Sequence, residues 1–333
     1  MKKIILISND KLYFNQTKVF SEFNDTINII EGLSQKNYLY FISRNNEIKG
    51  IFRTNLKNKF QLKFYQIKNF NMKNKKVFMI SITPFNFLVF MMLNFFHKNL
   101  KGFVILRSDG FKEYSVKYGF FGKKLYEFFF NKILKKLKPI VVTDKLSNIK
   151  NFKYLKIFPS EITKIWSKNL KKPNLSKPNL LYLGRIKKEK GIFSLIELIE
   201  NLDIDYNLNI VGNKNKLSLT NNKIKIFKET SNKKKIIHFY DQNNIFVLPS
   251  FTEGYPKVLL ESLSRLRPVI IFRDIKHVKS KFRGVFVINR NTKELKKTII
   301  FILKNYEKIQ LQMKKNKIPT KDQFQKDLIR IIK

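Results

Sequence analysis

Short apolar runs alternate with longer stretches of helical periodicity along almost the whole chain, and this rhythm constrains the fold more than any other feature. A strand that rejoins its sheet through a helix does so in parallel, so the alternation predicts parallel sheets wrapped by helices. In the first half the spacing predicts strands at Lys3–Ser8, Asn37–Ser43, Val77–Ile82, Phe103–Arg107 and Ile140–Thr143, with a helix over Tyr118–Lys138 between the last two. The segment SKNLKKPNLSKPN, Ser167–Asn179, is polar, carries prolines and lacks periodicity, which reads as a linker. The alternation then restarts: LLYLG strand, GIFSLIELIENL helix, YNLNIVG and KIKIF strands, KKKIIHFYDQ helix, IFVLPS strand, YPKVLLESLSR helix, PVIIF strand and a last helix over Lys293–Tyr306. The expected fold is α/β, with two doubly wound, Rossmann-like domains facing each other across a cleft. Residues 1–166 form the first, 167–179 the linker and 180–333 the second, and the amphipathic terminal FQKDLIRIIK is placed to cross back to the first. Two domains of about 150 residues suit a chain of this length.

Two segments imitate targeting signals. The opening MKKIILISND has an apolar run shorter than the roughly 7–15 residues a signal peptide needs, so it reads as a first strand. Val77–Phe96 carries no charge and approaches the length of a membrane span, but Pro84, Asn86 and Asn94 interrupt it, and it divides into a strand and a helix. The absence of Cys removes disulfides, thiolate nucleophiles and cysteine metal sites, and fits a reducing cytoplasm. The net charge of +44 invites a nucleic-acid reading. The lysines are dispersed through every segment, however, and no helix-turn-helix, zinc-finger or RRM-like signature accompanies them, so no nucleic-acid partner is expected. Attraction to anionic membrane surfaces is the expected consequence.

Two stretches of the second half carry chemistry. The strand Leu180–Leu183 ends in Gly184-Arg185, and Lys190-Gly191 opens the next helix. Glycines at a strand-to-helix turn let backbone pass close to a ligand, and a helix N-terminus attracts anions. Arg185 and Lys190 add positive charge at the carboxyl edge of the sheet, where ligands of such sheets bind, and the combination suits a diphosphate. The plain alternative is a solvated basic turn. Farther on, PSFTEGYPKVLLE places Glu253 in a loop, Pro256 at a helix start and Glu261 almost two turns in. There Gly254 and Tyr255 offer backbone N–H groups as a second anion cradle, Glu261 can accept bonds from vicinal hydroxyls such as those of ribose, and Glu253 can bind sugar hydroxyls. A first-turn charge and an exposed helical residue are the plain alternatives for these two acids.

LYLGRIKKEKG followed by PSFTEGYPKVLLESL, with Glu253 and Glu261 in E-x7-E spacing, closely resembles the family 4 glycosyltransferases, retaining enzymes of the GT-B fold. The resemblance is specific over roughly Leu180–Ile271. It implies that Arg185 and Lys190 hold the diphosphate of a nucleotide-sugar donor, that Glu261 binds ribose and Glu253 the donor sugar, and that the Gly254–Tyr255 amides bind phosphate or sugar. It further implies transfer to a glycan or lipid-linked acceptor in cell-surface polysaccharide or lipopolysaccharide assembly, with no cofactor and no metal, by a cytoplasmic protein peripheral on the inner face of the membrane. A GT-B protein that binds nucleotide sugars without catalysis is the alternative. His97, His238 and His277 are scattered, and Asp203-Ile204-Asp205, which copies an Asp-x-Asp metal signature, reads as a coincidence in a loop.

The first half departs from the family pattern. The loop expected after the first strand, NDKLYFNQ, lacks glycine, and Leu106-Arg107-Ser108-Asp109-Gly110-Phe111 lacks the histidine that family members often place facing the donor sugar. Asp109 is the substitute candidate for contacting the reacting sugar, with an Asx-type turn before Gly110 as the alternative and Ser108 or Arg107 as neighbours in register. In Tyr118–Lys138, Phe120, Phe121, Leu125, Phe128, Phe129, Ile133 and Leu137 mix with lysines. This pattern suits both a helix packed on its sheet and a basic amphipathic surface for a membrane.

Overall fold

The computed structural model describes residues 2–142, 146, 148–213, 221–279 and 282–332, so Thr143, expected to end a strand, lies outside the described residues. The chain forms two compact units, Met1–Pro159 with Lys321–Lys333, and Ser160–Thr320.

Among its described residues the first unit holds a nine-stranded sheet. The strand Lys2–Phe14 runs parallel to Asn37–Asn45 on one side and to Lys75–Ile80 on the other. Gly102–Leu106, Leu137–Val141 and Leu155–Lys156 continue outward in the same direction. Side chains along a strand alternate between faces. Thus Ile5, Ile7, Val77, Met79 and Val104 enter a core shared with the helices Pro84–Phe96 and Gly110–Leu134. Ile4, Leu6, Phe78, Ile80 and Ile105 enter a second core shared with the helices Asn24–Ser34 and Lys321–Ile332. The sheet is therefore doubly wound, and the chain's last helix completes its second layer.

Two expectations need correction here, and a third holds. NDKLYFNQ is no loop: the first strand continues to Phe14, shifting register between Ser8 and Lys11, then pairs antiparallel with Lys18–Ser21. No tight turn forms there, so no glycine is required. Val77–Phe96 divides as expected into a strand ending at Ile80 and a helix starting at Pro84, capped by the Thr83 side chain accepting from Asn86 N. Among the described residues no helix is long and apolar enough to cross a membrane. The helix expected over Tyr118–Lys138 instead runs Gly110–Leu134 with a break at Gly119 (φ 65°), where a glycine tolerates the left-handed backbone.

The second unit holds six parallel strands in the order Ile224–Lys228, Asn207–Gly212, Asn179–Leu183, Ile245–Leu248, Val269–Phe272 and Val285–Ile288. The chain winds one way from Asn179–Leu183 and then the other way from Ile245–Leu248. These adjacent strands flank the topological switch point, where such sheets open a crevice at their carboxyl ends. Residues 166–171 lie in this unit: Arg265 donates to the carbonyls of Trp166, Lys168 and Asn169, and Arg267 to that of Lys171. Arg265 is itself paired with Asp241 at 2.8 Å, so both charges are matched despite burial.

Candidate active site

The two strands at the switch point deliver the two motif loops to one edge. After Asn179–Leu183, a short helical turn at Lys188–Lys190 ends on Gly191 (φ 68°), which leads into the helix Ile192–Glu200. After Ile245–Leu248, the second loop runs through Pro249 to Pro256 before the helix Lys257–Ser264. The loops touch through backbone. Phe251 N donates to Glu189 O at 3.1 Å, and a Cβ at Gly191 would stand 1.9 Å from Pro249 O, so only glycine permits this approach.

Their side chains also meet. Lys190 Nζ lies 2.6 Å from Glu253 Oε1, which also accepts from Ser250 Oγ at 2.7 Å, and both charged groups are largely withdrawn from solvent. His277 Nε2 donates to the Glu253 carbonyl at 2.9 Å, fixing the loop from the far side. Arg290 closes that side too: it donates to Pro249 O at 2.9 Å, pairs with Asp274 at 2.9 Å and lies 4.1 Å from the centre of the Phe251 ring. Arg185 stands exposed on the first loop, its carbonyl held by the Tyr182 hydroxyl at 2.7 Å.

Glu261 is buried in the helix Lys257–Ser264, and its Oε2 accepts from the Tyr240 hydroxyl at 3.0 Å. Burial pushes its carboxyl above the ordinary value, against the opposing pull of the Tyr240 hydrogen bond and the charges of Lys257 and Lys233. Gly254 is buried, and burial pushes the Tyr255 phenol up. Pro256, the expected helix start, occupies the capping position instead, and the helix begins one residue later at Lys257, so the Gly254 and Tyr255 amides precede the first turn instead of forming it. Lys190 and Glu253 are thus in contact, with Arg185 on the same loop as Lys190, Gly254 and Tyr255 beside Glu253, and Glu261 on the helix that follows.

The first unit assembles a separate polar cluster at the carboxyl ends of its strands. Arg107 NH1 lies 3.5 Å from Asp10, and its Nε donates to Ser81 Oγ at 2.9 Å. Thr26 donates its hydroxyl proton to Asp10, and Ser81 adopts a positive φ of 66°. Asp109 caps the helix Gly110–Leu134, accepting from Lys112 N at 3.3 Å, as its turn-forming alternative required. Asp203 pairs with Lys296 at 2.7 Å, and Asp205 with Lys177 at 3.3 Å and Lys223 at 3.6 Å, so the two carboxylates of the Asp-x-Asp copy have different lysine partners. Sequence reasoning missed Asp10, Ser81, Tyr240, His277 and Arg290. For Tyr240 the one legible signal is its place near the end of the amphipathic KKKIIHFYDQ.

Residues 165–318 match the family model described as glycosyl transferases group 1. TuaC of Bacillus subtilis strain 168, named as a teichuronic acid biosynthesis glycosyltransferase, is 35% identical over 102 residues, covering 31% of this chain and 26% of that protein. The N,N'-diacetylbacillosaminyl-diphospho-undecaprenol alpha-1,3-N-acetylgalactosaminyltransferase of Campylobacter jejuni is 26% identical over 250 residues, covering 70% of this chain and 63% of that protein. The chain therefore spans less than two thirds of the length of either relative. The crystal structure of WaaG, a glycosyltransferase involved in lipopolysaccharide biosynthesis, superposes with a TM-score of 0.69 at 14% identity, covering 99% of both chains. The chain thus has the GT-B fold of glycosyltransferases, and its second unit matches the glycosyl transferases of group 1.

Proposed function

We propose that this chain is a retaining, metal-independent glycosyltransferase that moves a sugar from a nucleotide-sugar donor to a glycan or lipid-linked acceptor during assembly of a cell-surface polysaccharide or lipopolysaccharide. The observation that carries the reading is the Lys190–Glu253 contact, which joins the two motif loops across the switch point of the second sheet. In this reading Arg185 and Lys190 take the donor diphosphate, neutralising charge that develops on the leaving oxygen as the sugar acquires oxocarbenium character. Diphosphate binding draws Lys190 from Glu253 and frees that carboxylate for sugar hydroxyls. Glu261, already deprived of water, accepts from ribose hydroxyls, and the Gly254 and Tyr255 amides take phosphate or sugar oxygens. Asp109 is the first-unit candidate for the reacting sugar. The names of the two relatives, which concern teichuronic acid and an undecaprenyl-linked acceptor, support the acceptor class, and a protein peripheral on the inner face of a membrane fits it.

A panel of nucleotide sugars, read by thermal shift and then by release of nucleoside diphosphate, tests the proposal. With the donor that binds, Arg185→Ala is expected to lower turnover about 10²–10³-fold. Glu261→Ala is expected to weaken donor binding about tenfold or more. Turnover unchanged in both variants refutes the site. Binding without turnover toward any lipid-linked or glycan acceptor selects the catalytically inactive alternative, which the glycine-free extension of the first strand favours.

A further inference from the structure

Two neighbouring helices of the first unit turn apolar stripes outward as well as inward. On Pro84–Phe96, Val89, Phe90 and Leu93 are buried, while Leu88, Met91 and Phe95, at helical spacing on the other side, are exposed, Phe95 by 78%. On Gly110–Leu134, Tyr126, Phe129, Phe130 and Ile133 are buried, while Phe121, Leu125 and Phe128 are exposed, Phe121 by 85%. The stripes are joined at one point: Phe87 stacks on Phe129 at 4.2 Å and meets Phe128 edge-on at 5.6 Å between ring centres. The break at Gly119 sits just before Phe120, itself 67% exposed. A contiguous apolar face on a protein surface marks an interaction site.

Lysines interleave with this face. Lys124 Nζ lies 5.9 Å from the Phe120 ring centre and Lys132 Nζ 5.7 Å from that of Phe128, with Lys117 and Lys123 exposed beside them. A second copy seated here would bring these like charges together in a chain of net charge +44. An anionic lipid surface would neutralise them, and aromatic rings flanked by long basic stems suit the boundary between headgroups and acyl chains.

We infer that the face formed by Leu88, Met91, Phe95, Phe121, Leu125 and Phe128, with its rim of lysines, docks on the anionic surface of a lipid bilayer. The purpose of this contact, bringing the enzyme to a lipid-linked acceptor, rests on the function proposed above; the contact itself does not. The full-length chain is mixed with vesicles of phosphatidylglycerol and phosphatidylcholine, or of phosphatidylcholine alone, and the bound fraction is measured by sedimentation. The wild type is expected to bind the anionic vesicles in preference. Phe121→Ser combined with Leu125→Ser is expected to lower that binding about tenfold or more. A control pair at exposed apolar positions of the second unit, Phe301→Ser with Leu311→Ser, is expected to leave it within about twofold. Lys123→Gln with Lys124→Gln is expected to weaken binding and flatten its salt dependence. Equal loss in the test and control pairs, no loss in the test pair, or equal binding to neutral vesicles overturns the inference. So does lipid-independent self-association that the test pair abolishes. Nucleoside diphosphate release is assayed in parallel, without vesicles, against a panel of glycan and detergent-dispersed lipid-linked acceptors: its absence alongside patch-dependent vesicle binding refutes the enzymatic reading and leaves the docking surface standing.

Discussion

At Glu261 the surroundings disfavour the charge the proposed role needs, and this has a measurable consequence. The buried carboxyl holds its proton to higher pH in the folded chain than in the unfolded one. Between the ordinary value of 4.5 and the raised native value the native state binds more protons. The stabilising difference is therefore fully present below the unfolded value and is lost as pH rises through the native one. Glu261→Gln keeps an acceptor for the Tyr240 hydroxyl and abolishes the titration. Denaturant unfolding of both forms is expected to give similar stabilities near about pH 4, with the variant gaining relative to the wild type as pH rises. A difference that does not change with pH would show that the carboxyl is not held protonated. At this scale the sequence named the residues well wherever a motif fixed their spacing, as for Lys190 and Glu253. It did not name Asp10, whose partner Arg107 lies far along the chain and meets it only through strand pairing.

The arginine pair that follows the helix Lys257–Ser264 sets how a whole segment behaves. Arg265 and Arg267 hold the carbonyls of residues 166–171 against the second unit, and both guanidinium groups are almost fully buried. Arg265→Ala strands Asp241 and several carbonyls without a donor, and is expected to cost about 3–5 kcal/mol. Urea unfolding measures that loss, and limited trypsin digestion is expected to shift toward Lys168 and Lys171. A variant of wild-type stability that resists cleavage there would mean that other contacts hold the segment. The polar, proline-bearing composition of Ser167–Asn179 read as a free linker because composition reports what a segment can bury by itself. It is silent about backbone held by side chains almost a hundred residues away. The strands of the second unit were legible because fully buried parallel strands are continuous apolar runs, as in IFVL and VIIF. The short Lys18–Ser21 and Phe52–Asn55 were not, since strands of four residues carry little pattern of their own. For the helix Gly110–Leu134 the sequence offered both a packed stripe and an outward basic amphipathic one, because periodicity shows that a stripe is apolar and the fold decides whether anything covers it.

For the whole molecule, the two units share one chain in an interrupted order, since the helix Lys321–Ile332 returns to the first unit after the second is complete. Phe324, Leu328 and Ile332 enter the core beside Ile29, Ile30 and Leu33, and Gln325 donates to Glu31 at 3.2 Å while Lys321 pairs with it at 2.6 Å. Lys76 donates to the Ile332 carbonyl at 2.9 Å. Burial of the three apolar side chains stabilises the first unit by about 1.5–3 kcal/mol each as an upper estimate, which together approaches the entire stability of a typical domain. A chain ending at Thr320 is therefore expected to keep its second unit folded and to lose most or all of the first. The single tryptophan, Trp166, is buried in the second unit, so its emission follows that unit alone, whereas far-ultraviolet circular dichroism follows both. In the truncated chain the fluorescence transition is expected at its original temperature, with the dichroism transition split and its first-unit part moved down or absent. One transition, at the wild-type temperature in both signals, would show that the returning helix contributes little and that the first sheet is stable with one layer bare.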